Sequence, residues 1–303
     1  MKNATTENDR KDYSELHPLI FSAKNSCQEA TILKNFYKEL PSLADNKYLI
    51  DTHCHLDMES YSQDRDEIIE NAEKNGIKRI VTIGIDIPSS ERAIALSHQH
   101  SHISATIGIH PHDINNINRE TYRTLEKLAS EHSSQIVGYG EIGLDYVKQY
   151  SPIDSQQLHF AQQLDFANEL DLPVIIHNRE ANSDTLAIIK KAKPFTNGGI
   201  MHCFSGDYEF AKKVIDLGLL VSIPGIVTFK NAKVLQEVAQ KIPLTSMVIE
   251  TDGPFLTPHP YRGKRNEPLL LLHTANKIAQ LRNISIDEVA NQTSLNAENL
   301  FSF

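Results

Sequence analysis

The residues of this chain that are best suited to chemistry are histidines and carboxylates that follow apolar runs. The first run, residues 48–50, continues into His53 and His55. Side chains two residues apart on a strand point to the same side, so two imidazoles at this spacing can bind one metal ion. An isolated pair of this kind can also be two polar residues that cap a strand. Its recurrence elsewhere in the chain favours the metal site.

The pattern recurs at the ends of four later apolar runs, at Glu141, His177, His202 and Asp252. Four imidazoles and two carboxylates suit divalent ions such as Zn²⁺ or Mn²⁺, and Mg²⁺ where carboxylates and water dominate. Because each oxygen of a glutamate can take a different ion, Glu141 can bridge two ions about 3.5–4 Å apart. Asp252 can bind a metal and accept the proton of the attacking water.

We therefore predict a site for two divalent ions, of Mg, Mn or Zn, in which Glu141 and Asp252 are the catalytic residues. The candidate ligands are His53, His55, Glu141, His177, His202 and Asp252. Each alone has an ordinary structural explanation, such as a hydrogen-bonded core histidine or an aspartate that begins a turn. Six such side chains at predicted strand ends are harder to explain in this way.

The composition excludes several classes of protein. The chain has 303 residues, 40% of them hydrophobic, and a formal net charge of -9, which argues against general coating of nucleic acid but not against local phosphate recognition. No run approaches the roughly 20 apolar residues that span a membrane, and the N-terminus lacks a signal-peptide pattern. We expect a cytoplasmic protein with no membrane partner, and a monomer is favoured.

The cysteines also point to a reducing compartment. They are three in number, and two of them, Cys54 and Cys203, directly follow candidate ligands, so a disulfide framework is not expected. On a strand each cysteine points to the side opposite its neighbouring ligand. We therefore expect both thiols to be buried and to take no part in the site.

The elements that must position these residues alternate from residue 48 onward. The predicted strands, which are apolar almost throughout as in a parallel sheet covered on both faces, are 48–53, 79–85, 103–109, 135–141, 172–177, 198–202, 219–223 and 246–251. The predicted helices are 64–75, 89–100, 119–132, 152–171, 182–193, 208–217, 231–241, 267–282 and 286–301. Ser151 before Pro152 is predicted to cap one helix, and Ser285 with Glu288 fits a capping box.

Eight strand–helix pairs over residues 48–303 match a (β/α)8 TIM barrel, which typically has about 250 residues and carries its active site at the carboxyl ends of the strands. A doubly wound open sheet is the alternative, but it does not require ligands at so many strand ends. We predict an α/β TIM barrel over residues 47–303. Residues 1–46 are predicted to be a short N-terminal extension, polar and disordered at first and helical over 19–43, to which we assign no chemistry.

Seven short motifs occur in the chain, at residues 51–56 (DTHCHL), 108–112 (GIHPH), 140–146 (GEIGLDY), 177–179 (HNR), 202–206 (HCFSG), 250–256 (ETDGPFL) and 262–268 (RGKRNEP). In these motifs and in their order the chain resembles the TatD family of metal-dependent deoxyribonucleases, which are amidohydrolase-like TIM barrels. The resemblance implies that the six candidates are the metal ligands, and that the reaction is hydrolysis of DNA phosphodiester bonds, often from an end. Gly253 stands where many members have Ala or Ser. Residues 1–46 lie outside the resemblance.

Other residues near the predicted site are candidates for binding the substrate. His110 and His112 follow the third strand and can contact substrate or cap the strand. Arg179 can bind a phosphate through two hydrogen bonds, or form a surface salt bridge instead. The loop after the last strand carries three cations, for which phosphate binding is narrowly favoured over a solvated surface: Arg262, Lys264 and Arg265.

Three functions fit these residues. The first, and the one we predict, is a metal-dependent deoxyribonuclease with DNA as its substrate, acting from an end. The second is a hydrolase of another ester on the same dinuclear site, such as an aminoacyl-tRNA or a small-molecule ester. Many relatives of the wider fold carry a carboxylated lysine where this chain has Glu141, which favours the nuclease. The third is a binding or scaffold protein without catalysis, against which the intact set of candidate ligands argues.

Overall fold

The computed structural model describes residues 40–192 and 197–303. By its contacts the chain divides into residues 1–40 and a second unit, Pro41–Phe303. Residues 1–39, and with them most of the predicted extension and its helix over 19–43, lie outside the described residues. The extension therefore stays a prediction.

Eight strands form one sheet in which each strand pairs in parallel with the next along the chain. Their bounds are β1 Leu49–Cys54, β2 Ile77–Ile83, β3 Ile103–Ile107, β4 Ile136–Asp145, β5 Val174–Arg179, β6 Gly199–Met201, β7 Leu220–Ile223 and β8 Met247–Ile249. The sheet closes where β1 meets the chain after β8, because Cys54 forms a parallel bridge with Gly253 and the amide of Asp252 donates to the carbonyl of His53 at 2.8 Å. The predicted TIM barrel is confirmed, and the open sheet is excluded.

Apolar side chains from several strands hold the barrel together. Ile50, Val81 and Ile175 are buried in one cluster with Phe301, which belongs to the last helix. The same helix donates a hydrogen bond from Ser294 Oγ to the carbonyl just before β1, so it lies against the amino ends of the strands. Burying each large apolar side chain contributes about 1.5–3 kcal/mol, which makes this end of the barrel the stable base of the fold. The candidate ligands lie at the other end.

Nine α-helices accompany the strands in the described part of the chain. Their bounds are α1 Arg65–Lys74, α2 Ile87–Gln99, α3 Arg119–Glu131, α4 Ile153–Glu169, α5 Asn182–Lys191, α6 Tyr208–Asp216, α7 Lys233–Lys241, α8 Leu271–Arg282 and α9 Ile286–Phe301. Short 3-10 turns occupy Glu59–Tyr61, Ile114–Asn116, Gly225–Thr228, Leu244–Ser246 and Pro268–Leu270. None of these helices is both long and apolar enough to cross a membrane.

The two predicted helix starts have different outcomes. At α9 the Ser285 hydroxyl accepts from the amide of Glu288, whose carboxylate accepts from the Ser285 amide, so the predicted capping box is confirmed. At α4 the predicted Ser151 cap is wrong, because Pro152 occupies the capping position. Ser151 donates its hydroxyl to the carbonyl of His112 instead, 3.1 Å away, and so joins the loop after β4 to the loop after β3.

Strand β4 runs past its predicted end at residue 141 to Asp145, and glycines let it approach β5 closely. Its register against β5 shifts between Tyr139 and Ile142, an irregularity that changes the direction of the side chains around Glu141. Gly143 lies opposite His177 with a φ of 142°, and a Cβ there would lie 2.0 Å from the carbonyl oxygen of His177. Only glycine permits this approach.

We expect Gly143→Ala to destabilise the protein more than Gly218→Ala. Both glycines have a positive φ, but a Cβ at Gly218 would meet no atom within 4 Å, so the second variant measures backbone strain alone. The overpacking at Gly143 should add about 1–3 kcal/mol to the loss of unfolding free energy. Urea denaturation of both variants and the wild type measures the difference, and equal losses would contradict the close-approach argument.

Candidate metal centre

The six candidate ligands come from five strands and meet at the carboxyl end of the barrel. His53 is the last residue but one of β1, and His55 follows that strand directly. Glu141 and His177 lie within β4 and β5, while His202 and Asp252 follow β6 and β8. All but His177 and Asp252 are buried, so the cluster sits at the bottom of the open end rather than on its rim.

The carboxylate of Glu141 stands between two sets of imidazoles. Its Oε2 lies 3.4 Å from Nε2 of His53 and 3.9 Å from Nε2 of His55. Its Oε1 lies 2.7 Å from Nδ1 of His177 and 3.4 Å from Nε2 of His202. Each oxygen therefore faces its own set of nitrogens, an arrangement that suits a bridging carboxylate.

Asp252 completes the set on the side of the first pair. Its Oδ1 lies 3.4 Å from Nε2 of His55 and 3.7 Å from Nε2 of His53, and those two nitrogens are 3.3 Å apart. Its backbone has a φ of 54°, in the left-handed region that a non-glycine residue adopts at a cost. The hydrogen bond from its amide to the carbonyl of His53 helps to hold this conformation. Such strain is typical of functional positions.

The donor set fits divalent ions. Within residues 40–192 and 197–303, the ion-pair partners of Glu141 and Asp252 are all imidazoles, with no lysine or arginine among them. Three groups of donor atoms lie within 4.8 Å of one another around these two carboxylates. Their members are His53, Glu141 and His202; His53, His55 and Asp252; and His110, Glu141 and His177. Buried nitrogen and oxygen donors at this density suit a cation that they share.

The surroundings give His53 and Glu141 the ionisation that metal ligands need. Burial and the neighbouring His202 lower the pKa of His53 to about 3, which leaves its imidazole neutral with a free lone pair. Burial alone raises the pKa of Glu141, but the imidazoles of His202 and His110 outweigh it and hold the pKa well below its usual range. Burial also lowers the pKa of His202, yet Glu250 and Glu141 raise it to about 10, so this imidazole holds a proton that a bound cation would displace.

A second layer of carboxylates holds the ligand histidines from behind. Oδ2 of the buried Asp145 lies 3.3 Å from Nε2 of His177, whose other nitrogen faces Glu141. Oδ2 also lies 2.9 Å from Nε2 of His112, and Oδ1 accepts from the amides of residues 147 and 148. Burial alone raises the pKa of Asp145, but the hydrogen bonds from His112 and His177 lower it well below its usual range. The carboxylate therefore stays charged and orients His177.

Glu250 does the same for His202. Its Oε1 lies 3.0 Å from Nδ1 of His202 and accepts from the amide of Cys203 at 2.7 Å. Its Oε2 accepts from the hydroxyl of Ser222 at 2.5 Å, and the side chain is fully buried. With Nδ1 held by a carboxylate, Nε2 of His202 is left to face Glu141 as a ligand.

The two cysteines differ from each other. Cys54 is buried, as predicted. The prediction for Cys203 is wrong: the residue is only half-buried, and its sulfur lies within 4.8 Å of donor atoms of His202 and Glu250. Strand β6 ends at Met201 and Cys203 has a φ of 44°, so the alternation of a strand does not extend to it.

The candidate substrate residues lie around this centre at different depths. His110 is buried, with Nε2 3.6 Å from Oε1 of Glu141, so it belongs to the cluster rather than to its rim. Burial is the main cause that lowers its pKa well below the usual range. His112 is 26% exposed and Arg179 is 49% exposed, with one Arg179 nitrogen 3.9 Å from Asp145. Both reach the solvent on the side of β4 and β5.

The three cations of the loop after β8 have different surroundings. The guanidinium of Arg262 lies over the ring of Phe229, 4.5 Å from its centre, and Lys264 is exposed. Arg265 donates to both carboxylate oxygens of Asp64, at 3.0 and 2.6 Å, and to the carbonyl of Ser60. A phosphate could reach Arg265 only in competition with Asp64. Binding of substrate by this loop stays a prediction. Lys264 and Arg262 fit it better than Arg265, whose guanidinium is already paired with Asp64.

A comparison with known families decides the classification. The family model described as TatD related DNase matches residues 50–302, which is nearly the whole of the second unit. The chain belongs to this family.

Individual relatives support the assignment to the TatD family. An uncharacterized metal-dependent hydrolase of Bacillus subtilis, YabD, is 43% identical over 84% of this chain and 98% of its own length. A protein of Erwinia amylovora, named 3'-5' ssDNA/RNA exonuclease TatD, is 34% identical over 84% of this chain and 99% of its own length. The crystal structure of the TatD homologue YJJV from Escherichia coli is 28% identical, with a TM-score of 0.80 over 84% of this chain and 98% of that one. The chain is thus a metal-dependent hydrolase of the TatD family.

Sequence reasoning missed the two carboxylates behind the ligands. Asp145 and Glu250 both lie inside motifs shared with the TatD family, at 140–146 and 250–256. A signal was present, because a buried histidine ligand commonly has a carboxylate behind it. The sequence does not say which carboxylate faces which histidine, and only the pairing of β4 with β5 places Asp145 beside His177.

We expect Asp145→Asn to weaken metal binding about 10- to 100-fold. The amide can donate to Nε2 of His177, which moves the imidazole proton to Nδ1 and removes the lone pair that faces Glu141. Competition of the loaded protein with a coloured chelator gives the affinity. Asp154→Asn, an exposed change at the start of α4, is the control. An unchanged affinity in the Asp145 variant would show that this carboxylate does not set the tautomer.

Proposed function

We propose that this TatD-family hydrolase cleaves phosphodiester bonds of DNA with two divalent ions, of Mg, Mn or Zn. The observation that supports the proposal most directly is the carboxylate of Glu141, whose two oxygens face separate sets of imidazoles. His53, His55 and Asp252 would hold one ion with Glu141, and His177 and His202 would hold the other. We also propose that the protein acts in the cytoplasm, because its three cysteines fit a reducing compartment. A monomer is part of the same proposal.

Different residues of the chain have different roles in the proposed reaction. Bound divalent ions at such a site polarise the phosphate and make water more acidic. Asp252, 13% exposed at the edge of the buried cluster, accepts the proton of the attacking water. Its left-handed backbone, fixed by the bond to His53, holds the carboxylate in place for this transfer. His112 and Arg179, on the solvent side, contact the phosphate oxygens.

Digestion from an end is the finer part of the proposal. The Erwinia amylovora relative is named a 3'-5' ssDNA/RNA exonuclease, which supports an unpaired nucleic-acid strand as the substrate. The chain as a whole is acidic, so we expect Arg179 and the loop after β8 to recognise the phosphates. RNA and DNA share the phosphodiester, and the same assay can compare them.

We expect the purified protein to cleave an end-labelled single-stranded oligonucleotide only when it is loaded with a divalent ion, at about two ions per chain. Mg²⁺, Mn²⁺ and Zn²⁺ are tested separately, and metal content is measured by elemental analysis. Asp252→Asn should lower kcat by about 100-fold or more, because the amide cannot accept the proton. A circular dichroism spectrum checks that the variant is folded.

Two outcomes would overturn the proposal. If no oligonucleotide is cleaved with any ion while an aminoacyl ester or a small-molecule ester is hydrolysed, the enzyme acts on another ester. If Asp252→Asn keeps wild-type kcat with an unchanged spectrum, Asp252 does not take the proton.

We expect Arg179→Ala and Lys264→Ala to raise KM and to flatten its dependence on salt. For single strands the slope of log affinity against log salt should fall by about 0.7 for each phosphate contact that is lost. The kcat should change less, because these charges bind ground and transition states alike. Lys190→Ala, on α5, is the control. If either variant keeps the salt slope of the wild type, the side chain that it lacks does not bind phosphate.

A further inference from the structure

One exposed aromatic ring stands beside the metal centre and has no role in it. The loop between β4 and α4 carries Tyr150, which is 56% exposed, and Val147. Among the exposed large hydrophobic side chains of the described residues, Tyr150 is the one aromatic. An exposed aromatic face beside a polar site is a surface on which a ligand can gain free energy by leaving water.

The ring is held in place before any ligand arrives. The carbonyl of Tyr150 accepts from Nδ2 of Asn115 at 3.0 Å, and its amide donates to the carbonyl of Lys148 at 2.8 Å. The next residue, Ser151, is bound to the carbonyl of His112. The Tyr150 ring meets the ring of His112 edge to face, with centres 4.8 Å apart and planes at 85°. A ring fixed in this way loses little conformational entropy on binding.

A continuous wall of side chains joins this ring to the metal centre. His112 Nε2 lies 2.9 Å from Asp145, and Asp145 lies 3.3 Å from the ligand His177. Exposure rises along the wall, from 17% at the His177 side chain to 26% at His112 and then to the open ring of Tyr150. Arg179 opens to the solvent from the same side. A strand whose phosphate sits at the metal centre can thus leave along this wall.

We propose that Tyr150 is a stacking platform for an unpaired base of the substrate, next to the phosphate that is cleaved. The inference rests on the proposed function and adds to it the part of the nucleotide that this loop recognises. An aromatic face accepts any base, so the platform gives affinity without sequence preference. A paired base keeps its faces within the duplex, so the platform also favours single strands. The ammonium of Lys148 lies over the ring, 6.0 Å from its centre, so the platform also carries a cation that can face the polyanion.

The test combines two deletions, of the ring and of the base. Tyr150→Ala and Tyr150→Phe are compared on a single-stranded oligonucleotide and on the same oligonucleotide in which tetrahydrofuran replaces the nucleosides flanking the labelled end. With natural bases, Tyr150→Ala should raise KM about 5- to 150-fold, the range for loss of one base–aromatic stack. With the bases removed, the same variant should match the wild type. Tyr150→Phe keeps the ring and should match the wild type on both.

A binding measurement separates this inference from the proposed reaction. The dissociation constant of each labelled oligonucleotide is also measured by anisotropy with the metal-loaded Asp252→Asn protein, with and without Tyr150→Ala. Leu158→Ala, an equally exposed apolar side chain on α4, is the control. If the base-dependent loss appears in binding but the wild type cleaves neither oligonucleotide, the platform stands and the nuclease proposal fails. If Tyr150→Ala has the same effect with and without the bases, or none, the platform is overturned.

Discussion

The contact on which the rest of the structure depends joins β1 to the segment after β8. Asp51 accepts from the amide of Thr251 at 2.9 Å and from its hydroxyl at 2.5 Å, although the two residues are 200 positions apart. Burial is the main reason that the pKa of Asp51 is raised to about 7. With the bond between Asp252 and His53, these contacts close the barrel and bring the last ligand to the first two. Closure of the sheet and assembly of the metal centre are therefore one event, and a buried carboxyl left without its partners would cost about 1–3 kcal/mol.

Within the closed barrel, Glu141 is the residue around which the other ligands are arranged. Its position depends on β4, where an irregular register and Gly143 bring the strand against β5. Behind the ligands, Asp145 and Glu250 each hold a histidine by the nitrogen that faces away from the centre. The imidazoles thus present their lone pairs inward with little freedom to rotate. Strand ends and the carboxylates behind the histidines together make such a site rigid.

The barrel alone does not define the substrate. The chemistry common to such barrels lies at the carboxyl ends of the strands, and the choice of substrate lies in the loops around them. In this chain the half-exposed Arg179 ends β5, and the loops contribute the cations after β8 and the Tyr150 ring after β4. They surround a centre in which Glu141 and Asp252, among the described residues, form ion pairs with histidines alone, so contact with a polyanion falls to the rim.

The sequence by itself determined the order of strands and helices, the barrel, the family and a set of six candidate ligands that the structure brings together. These follow from local information: apolar runs of strand length, polar residues at their ends and short motifs. Only the tertiary structure decided which carboxylate stands behind which histidine, that Arg265 is paired with Asp64, and that the Cys203 sulfur turns toward Glu250. Those facts depend on the register between strands and on a left-handed backbone just beyond a strand end. Neither leaves a mark on the spacing of residues along the chain, because each is set by contacts between segments far apart in sequence.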